Sequence, residues 1–74
     1  MSPKLPNIRP DKLIRALKKA GFFIDHQKGS HIYFLHANGK RTTVPYHKKD
    51  IGKGLLHEIL KQAGLTVQDL IDLL

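Results

Sequence analysis

Residues 22–44 read FFIDHQKGSHIYFLHANGKRTTV, and the way this stretch divides decides the fold. Phe22-Phe23-Ile24 has strand composition, and Gln27-Lys28-Gly29-Ser30 reads as a turn. Ser30–His36 carries Ile32, Tyr33, Phe34 and Leu35 and reads as a second strand. Asn38-Gly39 is the strongest short hairpin signal a sequence offers, and Arg41–Val44 follows it as a third strand. Pro45 ends that strand, since it has no N–H to give to a central ladder. The stretch therefore predicts three short antiparallel strands.

Helical patterns flank it. Pro10 suits a first helical position, and Asp11 complements the positive helix N-terminus. Leu13, Ile14, Leu17 and Ala20 then recur on one face, and Gly21 is a natural stop, so the spacing predicts a helix from about Pro10 to Ala20. Leu55, Leu56, Ile59, Leu60 and Ala63 form the apolar stripe of a second helix, with Gly54 available as N-cap and Gly64 as stop. Thr66-Val67-Gln68-Asp69 has the form of a capping box, and Val67, Leu70, Ile71 and Leu74 continue a short third helix. Met1–Arg9, with Pro3 and Pro6 and no period, reads as an extended lead-in. The whole is expected to be one α+β domain over residues 1–74, its helices packed on one face of the sheet and the other face left available.

Seventy-four residues leave a core too small for a deep pocket, so an open working surface is expected. Thirteen Lys+Arg against six Asp+Glu give a net charge of +7, which favours a polyanionic partner over lysines that merely solubilise, because the charge is clustered. Lys28, Lys40, Arg41, Lys48, Lys49 and Lys53 face Asp50 alone in the segment 28–53, while the tail from Thr66 has Asp69 and Asp72 and no cation. With no cysteine there are no disulfides, no thiol catalysis and no Cys-based zinc site. No apolar run approaches the roughly 18 residues of a membrane span, and Met1–Pro10 lacks the apolar core of a signal peptide, so a cytoplasmic protein without a membrane partner is expected.

Five histidines carry what chemistry there is. His57 falls on the polar side of the second helix, and His36, beside the Ala37-Asn38-Gly39 turn, is given no role. His26 faces His31 across the strands if the loop is Lys28-Gly29; a longer loop breaks that pairing, and the sequence leaves the register open. A metal site on these two lacks further ligands in any recognisable motif, so no metal is expected. His47 follows Val44-Pro45-Tyr46 and precedes Lys48 and Lys49 in the loop entering the second helix. Lysines oppose the helix dipole there, which makes sense if a phosphate sits at the junction; a solvated basic loop is the plainer reading. His31, in Gly29-Ser30-His31, is the candidate proton-transfer group. RNA needs no metal to be cut, because its 2′-hydroxyl can attack the adjacent phosphorus, and a positioned histidine contributes about 10²–10⁴-fold. On composition alone a single strand histidine is more often structural, so its role stays open at this point.

The blocks around it form a larger pattern. Lys4-Leu5-Pro6, Leu13-Ile14-Arg15-Ala16-Leu17, Ala20-Gly21-Phe22, Gln27-Lys28-Gly29-Ser30-His31, Thr43-Val44-Pro45-Tyr46-His47 and Ile59-Leu60-Lys61-Gln62-Ala63-Gly64-Leu65 occur in order over most of the chain. In these blocks the chain resembles the HicA family, small mRNA-cleaving toxins of bacterial and archaeal toxin–antitoxin systems. The resemblance implies a double-stranded-RNA-binding-domain-like fold, α-β-β-β-α, here with a short C-terminal helix. It implies that His31 is the catalytic histidine and that Val44, Pro45 and His47 belong to a second family block. Lys48, Lys49 and Lys53 resemble the phosphate-contacting lysines of double-stranded-RNA-binding domains. One departure is Leu55, where many members have threonine.

The resemblance further implies two partners, mRNA and a HicB-type antitoxin that covers the histidine face, and no cofactor. The expectation is a metal-independent endoribonuclease with His31 as general acid/base. Lys28, Ser30, His47, Lys48, Lys49 and Lys53 are its expected RNA-binding residues. The rival readings are a non-catalytic RNA-binding module on the same fold and an interaction protein whose only ligand is the antitoxin.

Overall fold

The computed structural model describes residues 4–74, so Met1–Pro3 of the expected lead-in lie outside the described residues. The elements run α1 (Pro10–Lys19), β1 (Phe22–Lys28), β2 (His31–His36), β3 (Arg41–Pro45), α2 (Lys53–Ala63) and α3 (Val67–Leu73). This is the expected α+β order, with an antiparallel sheet β1-β2-β3. Alternation along the strands sends Phe22, Ile32, Phe34, Thr42 and Val44 inward, where they meet Leu13, Leu17, Leu56, Ile59, Leu60 and Leu70. α1 lies against β1 and β3, α2 along β3, and α3 against α1. The outer face of the sheet carries no helix. Among the described residues no helix is long and apolar enough to cross a membrane.

The helix ends follow from local chemistry. Pro10 opens α1 with Asp11 in its first turn. Gly64, at φ +72°, lets the Leu65 N–H reach the Leu60 carbonyl at 2.9 Å and so closes α2. Both arms of the Thr66/Asp69 capping box are formed, at 3.0 and 2.9 Å. The loop before α2 is anchored by the Ile51 N–H on the Ile8 carbonyl at 2.8 Å, with both side chains buried.

Five details differ from the sequence expectation. β1 runs to Lys28 rather than stopping near Ile24, because a bulge at Asp25 lets the polar residues that follow continue the ladder on the open face. The turn is therefore the two residues Gly29-Ser30, with Gly29 at φ +59°, and Lys28 rather than His26 stands opposite His31. Pro45 does end β3, but as its last residue rather than the first beyond it, and it pairs with His31, which it can do because β3 is an edge strand. α2 starts at Lys53 with Gly52 as its N-cap, two residues earlier than Gly54 suggested. Leu55, assigned to the apolar stripe, is 44% exposed.

His36 has a structural task that the sequence did not reveal. Its Nδ1 accepts the Asn38 backbone N–H at 3.0 Å, which leaves Nε2 as donor to the Ala20 carbonyl at 3.1 Å. Its ring also stands edge-on to Phe22, 5.0 Å between centroids. The imidazole thus ties the β2–β3 turn to the end of α1, and Gly21 is needed beside it, since a Cβ there would come within 2.7 Å of Nε2. His36→Phe keeps a ring but removes both hydrogen bonds. It should cost about 1–3 kcal/mol in urea unfolding, and an unchanged midpoint would contradict this role.

Candidate nucleic-acid interface

The sheet register sets out the site. Lys28 pairs with His31 across β1–β2, and His31 pairs with Pro45 across β2–β3. Directly opposed residues share a face, and the neighbour of His31, Ile32, is buried, so this row stands on the outer face. The Tyr46 N–H donates to the Ser30 carbonyl at 2.6 Å, which brings the chain entering His47 up to the turn that precedes His31. Nothing lies within 4 Å of where a Cβ would stand on Gly29, so the turn backbone is open to an approaching group.

His31 is exposed and forms one wall of a shallow cavity of about 220 Å3, together with Thr43, Pro45, Leu55, Glu58 and Gln62. Among the described residues the imidazoles engaged in hydrogen bonds are those of His26 and His36, so both ring nitrogens of His31 are open to a ligand. Leu55, Glu58 and Gln62 recur at three- and four-residue spacing, next to the buried stripe of Leu56, Ile59, Leu60 and Ala63. α2 therefore has two working faces: one fills the core, and the other rises beside the β3 edge toward His31. Gln62 is held there by the Thr42 hydroxyl, which is buried and donates to Oε1 at 3.0 Å. Sequence reasoning missed Thr43, Glu58 and Gln62. The spacing of 55, 58 and 62 was a readable signal, but only the sheet register shows that it faces His31.

The basic residues fall into two groups. Lys28 shares the outer-face row with His31. His47, Lys48 and Lys49 lie exposed on the loop between its two anchors, Tyr46 on Ser30 and Ile51 on Ile8. Lys53 is the first residue of α2, whose N-terminus has no side-chain cap and no carboxylate in its first turn. Unclaimed backbone N–H groups and a lysine at a helix start favour an anion. Ser30 is exposed in the turn itself. His26 does not face His31: it pairs with Tyr33 and lies flat on that ring, with Asp25 on its Nδ1. His57 is exposed on α2, as its position on the polar side required.

The chain is similar to known proteins over this region. A family model described as the HicA toxin of bacterial toxin–antitoxin systems matches residues 10–65, from the start of α1 to the end of α2 and thus across the whole His31 cavity. A protein of Pseudomonas fluorescens (strain Pf0-1) named "Probable mRNA interferase HicA" is 44% identical over 52 residues, which cover 69% of this chain and 85% of that protein.

Proposed function

Because the chain belongs to the HicA toxin family, we propose that it is the mRNA-cleaving toxin of a toxin–antitoxin pair and that His31 is its catalytic residue. The observation that carries the assignment is an exposed imidazole, neither nitrogen of which is hydrogen-bonded among the described residues, in a cavity wall beside Lys28 and the lysine-rich entry to α2.

The chemistry follows from these groups. The ribose 2′-hydroxyl loses its proton and its oxygen attacks the adjacent phosphorus; the 5′-oxygen of the next nucleotide leaves and takes up a proton. The products are a 2′,3′-cyclic phosphate and a free 5′-hydroxyl. His31 transfers protons as general acid/base. Lys28, His47, Lys48, Lys49 and Lys53 hold the backbone phosphates and stabilise the charge that builds on the phosphorane. Ser30 orients the phosphate at the turn. Glu58 adds a carboxylate, which a phosphate avoids and a ribose hydroxyl can donate to. The departure at Leu55 lies in this cavity wall, so that position offers the substrate a methyl surface instead of a hydroxyl. None of these steps calls for a cofactor.

The partner that silences the toxin is read as a HicB-type antitoxin, whose acidic surface would complement the outer-face row. An enzyme acting on mRNA works in the cytoplasm.

His31→Ala should lower the rate of RNA cleavage by about 10²–10⁴-fold. Because the side chain is exposed, unfolding should shift by no more than about 0.5 kcal/mol. Cleavage at the native rate by the folded variant would refute the assignment, and binding without cleavage by the native protein would favour the RNA-binding module. Replacing Lys48 and Lys49 together by alanine should weaken RNA binding and flatten the log–log salt dependence by about 1.4, the value for two phosphate contacts on a single strand. An unchanged slope would remove both lysines from the interface.

A further inference from the structure

Beside the His31 cavity lies a second one of about 470 Å3, within the size range of small-ligand sites, and its lining includes Asp25, His26, Tyr33, Arg41, Thr43 and Gln62. Thr43 and Gln62 line both cavities, so the two adjoin. One wall is aromatic: the rings of His26 and Tyr33 stack with centroids 4.3 Å apart and planes 9° from parallel. Asp25 Oδ2 accepts from His26 Nδ1 at 2.8 Å and fixes the imidazole in that plane. The bulge makes this arrangement, since the register shift between Ile24 and His26 puts Asp25 next to the ring it holds. The plate does not serve the core, because the side chains of His26 and Asp25 remain 57% and 52% exposed.

We propose that this second cavity is a nucleobase subsite that takes the unstacked base of the nucleotide adjoining the phosphate cut at His31. It rests on the ribonuclease reading above, which supplies the polymer whose phosphate occupies the first cavity. Three features select a base. A flat aromatic plate stacks on the face of any base and is tolerant of which one. The polar groups around it match a base edge: Gln62 Oε1 is engaged by Thr42, which leaves the two Nε2 hydrogens as donors, while Thr43 offers a hydroxyl. The Asp25 carboxylate repels a phosphate but accepts hydrogen bonds from exocyclic amines. The spacing is also right for neighbouring parts of one nucleotide, since His31 and His26 are diagonal neighbours across β1–β2, about 7–8 Å apart.

The test uses the native protein and 5′-labelled, 2′-O-methyl RNA hexamers in which each position in turn lacks its base, with affinity read by fluorescence anisotropy. Loss of the base at one position should weaken binding to the native protein about ten-fold, within the range for one stacked base. In Tyr33→Ala that position should become indifferent, while Tyr33→Phe should behave as native. The abasic series in the native protein does not depend on any variant folding. Equal affinity for all the hexamers, or the same ten-fold loss in Tyr33→Ala, would overturn the subsite. Cleavage of unmodified hexamers by the native protein and by His31→Ala is scored separately, so failure of the ribonuclease reading is distinguished from failure of the base subsite.

Discussion

Everything functional in this molecule depends on the register that the Gly29-Ser30 turn imposes on β1 and β2. Gly29 at φ +59° permits a two-residue connection, and that connection sets Lys28 opposite His31. Side chains alternate with a period of two, so a slip of one residue would bury His31 and expose Ile32. Burial of Ile32, Phe34 and Val44 on the inner face prevents that slip. The hydrophobic core thereby fixes which way the His31 imidazole points. The Tyr46–Ser30 hydrogen bond carries the same constraint to the third strand and sets the start of the lysine-rich loop.

A second constraint comes from the edge of α2. The helix lies along an edge strand, so one side of it packs inward and the next side rises past the sheet. Thr42 joins the two environments: its backbone belongs to the core face of β3, and its hydroxyl holds the Gln62 amide at the mouth of both cavities. A small domain has little room for a deep pocket, and its open cavities here lie on a ledge between sheet and helix.

Much of this was legible in the sequence, and the limits are physical. Pro10, Gly21, Gly64 and the Thr66/Asp69 box mark helix ends because each meets a local backbone demand that needs no tertiary partner. Asn38-Gly39 and the turn around Gly29 are marked for the same reason, although the two-residue loop falls one residue later than Lys28-Gly29. The bulge at Asp25 left no local mark, so the length of β1 and the partner of His26 were beyond reach. The outward face of α2 was hidden because Leu55 reads as core by composition, and only its place beside the β3 edge exposes it. His36 looked idle because its two hydrogen bonds join segments sixteen and two residues away. The His31 assignment came from the order of the motif blocks, and the geometry then supplied a free imidazole in a cavity wall.

The central claim is that RNA supplies its own nucleophile and the protein supplies proton transfer and charge. The most direct measurement compares cleavage of one RNA strand with that of the same strand carrying a single 2′-deoxyribose at the cut position. The substituted position should stay intact while the protein still binds the strand. Cutting at that position at the native rate would mean that the nucleophile comes from elsewhere, and the mechanism built on His31 would be contradicted.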